Sequence, residues 1–263
     1  MRLGFLLVPF VALLAACTVE TTTGGEPTPP PFEKTDTIPE EETDRPPPPP
    51  KQTVAAPLPY EGPHVEVVYV HMKDKEAGRW ICTGTLISST RVVTAAHCLD
   101  PKMFISWEVI APLAQGKPSA FAYTPEIFGG SYEDVANPDI GILKLKKAID
   151  LPVYAELTDV VAKVEAGEKV LGASVVRTEP KIDAPLVEEK PGAVTSTVGF
   201  GYDHGFGVPM FSKGGDSGAG LFLVEDGKLT HKLIGVARQP EPERNIDHFT
   251  RIDKPFLDWY AAR

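Results

Sequence analysis

The sequence has 263 residues, 42% of them hydrophobic, and its 36 acidic against 26 basic side chains leave a net charge of −10. With no basic cluster anywhere along it, the chain lacks the electrostatic footprint of a nucleic-acid binder. Not all of the chain can belong to a packed domain, but about 200 residues are enough for one substantial core or two small ones.

Residues 1–16 have the layout of a secretory signal: Arg2, then the apolar run LGFLLVPFVALLAA, ending in small residues. The run is short for a membrane span, which takes roughly 20 residues. Its end, Leu14-Ala15-Ala16-Cys17, resembles the bacterial lipobox, in which the cysteine becomes the lipidated first residue of the mature protein. An ordinary signal peptide is the alternative. Thr18 rather than Asp follows Cys17, which in similar lipoproteins favours the outer membrane. Residues 17–60 hold twelve prolines, including 46–50, and few large apolar side chains. Such a stretch buries too little to offset its ordering entropy, so it reads as a disordered, Pro-rich tether. The expected location is therefore the envelope of a bacterium, with a membrane contact made through lipid.

Residues 61–263 remain for one domain. Cys82 and Cys98 are an even pair in an exported chain, which reads as one disulfide closing a short loop, or else as two free buried thiols. Short runs rich in Val, Ile and Leu, at 65–70, 80–87, 91–94, 140–145, 221–224 and 233–237, are separated by turn residues. They predict an all-β domain of the sandwich or barrel kind. A helix closes the chain: Asp253 caps it, Pro255 suits its first turn, and Phe256, Trp259 and Tyr260 share one face.

Two stretches carry chemistry. Residues 212–220, SKGGDSGAG, set Ser217 among four glycines, the composition of a strained turn or a mobile loop. Residues 92–98, VVTAAHC, end a strand with a histidine beside a cysteine, where an imidazole can take and return a proton at neutral pH.

Thr94-Ala95-Ala96-His97-Cys98, Asn137-Pro138-Asp139-Ile140 and Gly215-Asp216-Ser217-Gly218 resemble the histidine, aspartate and serine motifs of the chymotrypsin-like (trypsin-family) serine proteases. Their order is also that family's, with gaps of 42 and 78 residues. The resemblance covers roughly 200 residues and implies two six-stranded antiparallel β-barrels with a C-terminal helix. It also implies a monomeric endopeptidase acting on protein or peptide substrates without a cofactor. His97, Asp139 and Ser217 would be catalytic, and the amides of Gly215 and Ser217 would form the oxyanion hole. Asp100, only three residues past His97 in a Leu-Asp-Pro turn, is rejected as the orienting acid. A binding protein that has lost catalysis and a zymogen awaiting cleavage are the alternatives.

The chain departs from that family in several places. No Ile-Val-Gly-Gly N-terminus is present; Val54 is the nearest candidate, and otherwise Asp216 must be satisfied from within the domain. The substrate pocket falls to Phe211, Ser212 and Arg238, with Arg238 expected to face water or an acidic substrate. Phe211, where trypsin has an acid, implies an apolar or small preferred side chain. The cysteine pair that usually brackets this pocket is absent, which predicts a more mobile loop. Residues 199–207, GFGYDHGFG, read as a glycine-rich wall of the cleft. No metal site is expected, and His64, His71, His231 and His248 read as surface or strand-end residues.

Overall fold

A computed structural model of the chain describes residues 62–263; the signal-like run, Cys17, the Pro-rich stretch and Val54 lie outside them. The first sheet is built from β1 (Val67–Asp74), β2 (Arg79–Ser88), β3 (Arg91–Thr94), β4 (Phe104–Ile110), β5 (Ser119–Phe121), β6 (Glu126–Ile127) and β7 (Gly141–Lys144). Its order is β5-β4-β1-β2-β3-β7-β6, antiparallel throughout. A bridge between Ala122 and Leu145, with Tyr123 N donating to Lys144 O at 2.8 Å, joins the β5 edge back to β7. Six strands therefore close on themselves, and β6 is an addition outside the ring. Closure removes the open edges that would otherwise invite aggregation. Val68, Val70 and Met72 alternate into the barrel, while Tyr69 and His71 stack on the other face of β1. There Tyr69 Oη donates to Ala184 O, so that face is covered too.

The second sheet comprises β8 (Glu156–Leu157), β9 (Leu171–Arg177), β10 (Leu186–Glu188), β11 (Gly192–Ala193), β12 (Thr195–Ser196), β13 (Gly205–Pro209), β14 (Gly220–Glu225), β15 (Lys228–Glu241) and β16 (Ile246–Arg251). Its main order is β10-β9-β14-β15-β16-β13-β12, with β11 on β9 and β8 parallel to β15. Because β11 and β12 are one short segment pairing β9 on one side and β13 on the other, this sheet closes as well. Phe206, Leu221, Ile234 and Phe249 fill its centre. The expected all-β architecture of two six-stranded barrels is present, each ring carrying extra short strands.

The C-terminal helix α2 (Lys254–Ala261) begins where its cap lies: Asp253 Oδ1 accepts from Phe256 N at 3.1 Å. Phe256 is fully buried and, with Trp259, packs on Phe128 of the first barrel at ring distances of 5.6 and 5.4 Å. One short helix, α1 (Val161–Glu165), had no clear signal in the sequence. Among the described residues no helix is long and apolar enough to cross a membrane.

Candidate active site

β3 delivers the histidine. It ends at Thr94, and the wholly buried Ala95 and Ala96 lead into a 3-10 turn, Ala96–Leu99, that carries His97. Cys98 in this turn is bonded to Cys82 of β2, with 6.4 Å between Cα atoms, so the two cysteines are a disulfide and not free thiols. Trp107 Nε1 donates to Cys98 O at 2.9 Å and pins the turn from the far side.

Asp139, just before β7, grips His97 at two points. Its Oδ1 accepts the backbone N–H at 2.8 Å and its Oδ2 meets ring Nδ1 at 2.7 Å. The carboxylate is 3% exposed and the imidazole 33%, so the pair is dry on one side and open on the other. An ionised carboxylate only accepts, which places the ring proton on Nδ1 and leaves the Nε2 lone pair free. Thr250 in β16 is bonded to both the amide and the carbonyl of Asp139, so the second barrel holds the acid in place. Asp100 is engaged elsewhere, accepting from Tyr132 Oη and Lys102 N at 2.7 Å each.

The serine turn is seated against the same place. Thr83 N in β2 donates to Ser217 O, and Gly218 N to Ala237 O, both at 2.8 Å. Gly218 has φ +83°, and a Cβ there would lie 2.0 Å from Thr94 Oγ1 and 2.2 Å from Thr83 O. Only glycine lets the residue after the serine press on the end of β3, one step from the histidine turn. Ser217 is half-buried, and its hydroxyl has no hydrogen-bond partner among the described residues. The amides of Gly215 and Ser217 likewise make no bond among the described residues, leaving two donors for an external oxygen.

Asp216, fully buried, accepts from the amides of Arg177 and Lys213 at 2.9 and 2.8 Å. Burial pushes its carboxyl above the usual range, and these two bonds pull the other way. The Arg177 guanidinium is also fully buried, bonded to Thr83 Oγ1, Gly215 O and Cys82 O and lying over the Tyr69 ring. Asp216 is thus satisfied from within the domain.

Two expectations need correction. Arg238 faces neither water nor a substrate: it is 8% exposed, and its two terminal nitrogens donate to the carbonyls of Tyr132, Asp134, Val135 and Asn137. Four carbonyl dipoles take up all four terminal N–H groups and fix the loop that leads to Asp139. Residues 199–207 run into the core strand β13 (Gly205–Pro209), with Phe206 fully buried. His64, His71 and His248 are buried rather than superficial, at 7, 9 and 1% exposure.

Phe211 packs against the second core, with its ring 6.1 Å from Phe249. Its amide, the amide of Ser212 and the Ser212 hydroxyl all donate to the buried Asp247, at 2.7, 2.8 and 2.6 Å. Asp247 therefore ties down the loop for which the sequence offered no disulfide. Neither Asp247 nor Arg177 had a local signal, because the partners of each lie about 35 or more positions away.

A family model described as Trypsin matches residues 58–260. No curated protein sequence matches the chain. Solved structures are similar at low identity: HL collagenase at 15% identity and TM-score 0.61, covering 76% of this chain and 93% of that one. A thermostable serine protease from an extremophilic microorganism gives 14% and 0.59, covering 75% and 95%. An inactivated protease paralogue of the scabies mite gives 21% and 0.57, covering 75% and 93%. At these identities the likeness carries the fold alone.

Proposed function

The chain belongs to the trypsin family, and from that premise we propose that it is a serine endopeptidase acting through Ser217, His97 and Asp139. The observation that carries this is the two-point grip of Asp139 on His97, which aims a free Nε2 outward beside the serine turn. Nε2 takes the Ser217 hydroxyl proton as Oγ attacks the substrate carbonyl carbon. The oxygen that becomes negative is met by the amides of Gly215 and Ser217. His97 then gives its proton to the leaving amine, the C–N bond breaks, and an acyl group remains on Oγ. Water adds to that ester with its proton passing to His97, and the same proton returns to Ser217 as the acid leaves. Asp139 stabilises the imidazolium throughout without taking the proton. Every proton is moved by the chain itself, so the reaction calls on no cofactor.

Phe211, with Ser212 and a saturated Asp247 beside it, supports a preference for an apolar or small side chain at the cleaved bond. The remainder of the reading rests on residues 1–60: removal of a signal before Cys17, lipid on Cys17, and a monomeric protease domain held off a bacterial outer membrane by the Pro-rich tether. The apolar run and its lipobox-like end support it.

Digestion of a denatured protein by the full chain tests the catalytic reading. Asp139→Asn should reduce kcat by about 10⁴-fold, because the ring loses the partner that fixes its tautomer. A wild-type chain that is folded yet inert would instead make it a binding protein on this fold; the scabies mite structure, described as an inactivated protease paralogue, is similar to this chain at 21% identity. Labelled palmitate incorporated into wild type but not into Cys17→Ser tests the anchor.

A further inference from the structure

His64, Glu66 and His231 take no part in that reaction, yet among the described residues they form a close group of ligating side chains outside it. Glu66 is completely buried immediately before β1, and Leu86 N, donating to its carbonyl at 2.8 Å, fixes its backbone. Its Oε1 meets His64 Nδ1 at 2.9 Å and His231 Nδ1 at 2.6 Å. Its Oε2 is buried and has no partner. Two imidazoles thus crowd one oxygen of a buried carboxylate and leave the other bare, an arrangement that costs free energy as it stands.

The three donor atoms lie within 4.8 Å of one another. The spans of 2.9 and 2.6 Å are shorter than the roughly 3.3 Å that separates ligand atoms around a four-coordinate ion with bonds of about 2.0–2.1 Å, so the three side chains need only spread slightly to admit one. We propose that His64 Nδ1, His231 Nδ1 and the Glu66 carboxylate form a binding site for a divalent transition-metal ion of the zinc type. Two imidazoles and one carboxylate suit such an ion, whereas calcium and magnesium need more oxygens. To bind it, each neutral ring carries its proton on Nε2 rather than on Nδ1, and Glu66 supplies the one negative charge. Phe222, its ring 4.7 Å from that of His64, walls the site on one side. His231 at 17% exposure leaves an approach for the ion and for a water as fourth ligand. Because His231 belongs to β15, the ion would clamp the entry of the chain into the domain onto the second barrel. The other close cluster, Cys82, His97 and Cys98, offers no such site, since both sulfurs are spent in the disulfide.

The test is calorimetric titration of the EDTA-treated full chain with zinc chloride, followed by thermal unfolding. We expect one ion per chain and, at about a hundredfold excess over Kd, a Tm rise of about 5 °C or more. His64→Gln and His231→Gln should each weaken binding by at least about tenfold, while His97→Gln binds as wild type does. Cobalt(II) added to wild type should give the strong visible absorption of a four-coordinate ion, a readout that needs no variant to fold. Absence of saturable zinc binding by the wild-type chain would overturn the proposal. So would binding that survives His231→Gln but is lost in His97→Gln.

Discussion

The backbone amide of Arg177 donates to Asp216 Oδ1 over 2.9 Å, and the guanidinium of the same residue holds the carbonyl oxygen of Gly215, the neighbour of that aspartate. One buried residue therefore fixes the Gly215–Asp216 peptide from both sides. The orientation of that stretch decides where the Gly215 amide points, so Arg177 is a positioning residue for the oxyanion donors. Arg177→Met should remove the guanidinium donors from Thr83 Oγ1, Gly215 O and Cys82 O, leaving Gly215 O only the bond from Thr83 Oγ1, and lower stability by about 3–5 kcal/mol. Activity should fall about 10²-fold or more in kcat with KM little changed, read from steady-state kinetics beside urea unfolding. Because the anchor is internal, the uncut chain should be active. Activity that appears only after proteolysis near residue 54 would contradict this.

Gly218 and Gly215 both have positive φ, +83° and +94°, but they predict different costs. A Cβ at 218 meets backbone and a buried hydroxyl, neither of which can retreat. At 215 it meets the Ile81 Cδ1 methyl at 2.7 Å, the end of a flexible side chain. Gly218→Ala should therefore cost at least about 3 kcal/mol and abolish activity, whereas Gly215→Ala should cost about 1–2 kcal/mol. Equal destabilisation in chemical denaturation would refute the packing described for the serine turn.

The disulfide closes a loop between residues 16 apart and anchors the turn that bears His97. The Cys82→Ala, Cys98→Ala double variant should lose about 3 kcal/mol. Its kcat should fall as well, because the turn loses its covalent pin and keeps only the bonds to Trp107 and Asp139. Unchanged kinetics in the double variant would show that those bonds suffice.

His71 gives the domain an acid-sensitive element. Burial presses its imidazole below the usual 6.5, helped by the charges of Arg177 and Arg79 and opposed by Asp183 and a backbone bond at Ile182. Its ring stacks on Tyr69, and its Nε2 is buried without a partner. The native state keeps the ring neutral, while the unfolded chain takes up a proton near pH 6.5. The His71 contribution is thus fully present above that pH and is lost as pH falls toward the depressed native value. Urea midpoints compared at pH 7.5 and 5.5 should show wild type losing more stability than His71→Leu. Parallel losses would remove His71 as the cause.

The sequence reads well where the determinants are local. Residues 91–94 are a strand with the expected limits, and the cap at Asp253 starts α2 where Asp253 and Pro255 say it should. β1 runs 67–74 rather than 65–70, because pairing with β2 and β4 carries it past the apolar run. β15 extends to fourteen residues for the same reason. Strands of two or three residues, such as β6, β8 and β11, are too short to show a period. The order of His97, Asp139 and Ser217 is visible in motifs, but the groups that hold the site are not. Arg177 meets residues 82, 83 and 215, and His231 meets Glu66 across 165 positions, distances over which no local pattern operates.

The central claim is that Ser217 is an activated nucleophile. Treating the purified full chain with a fluorophosphonate probe, beside Ser217→Ala, tests it most directly. The wild-type chain should be labelled stoichiometrically on Ser217, without prior proteolysis, and the variant not at all. A folded wild-type chain that remains unlabelled would contradict it.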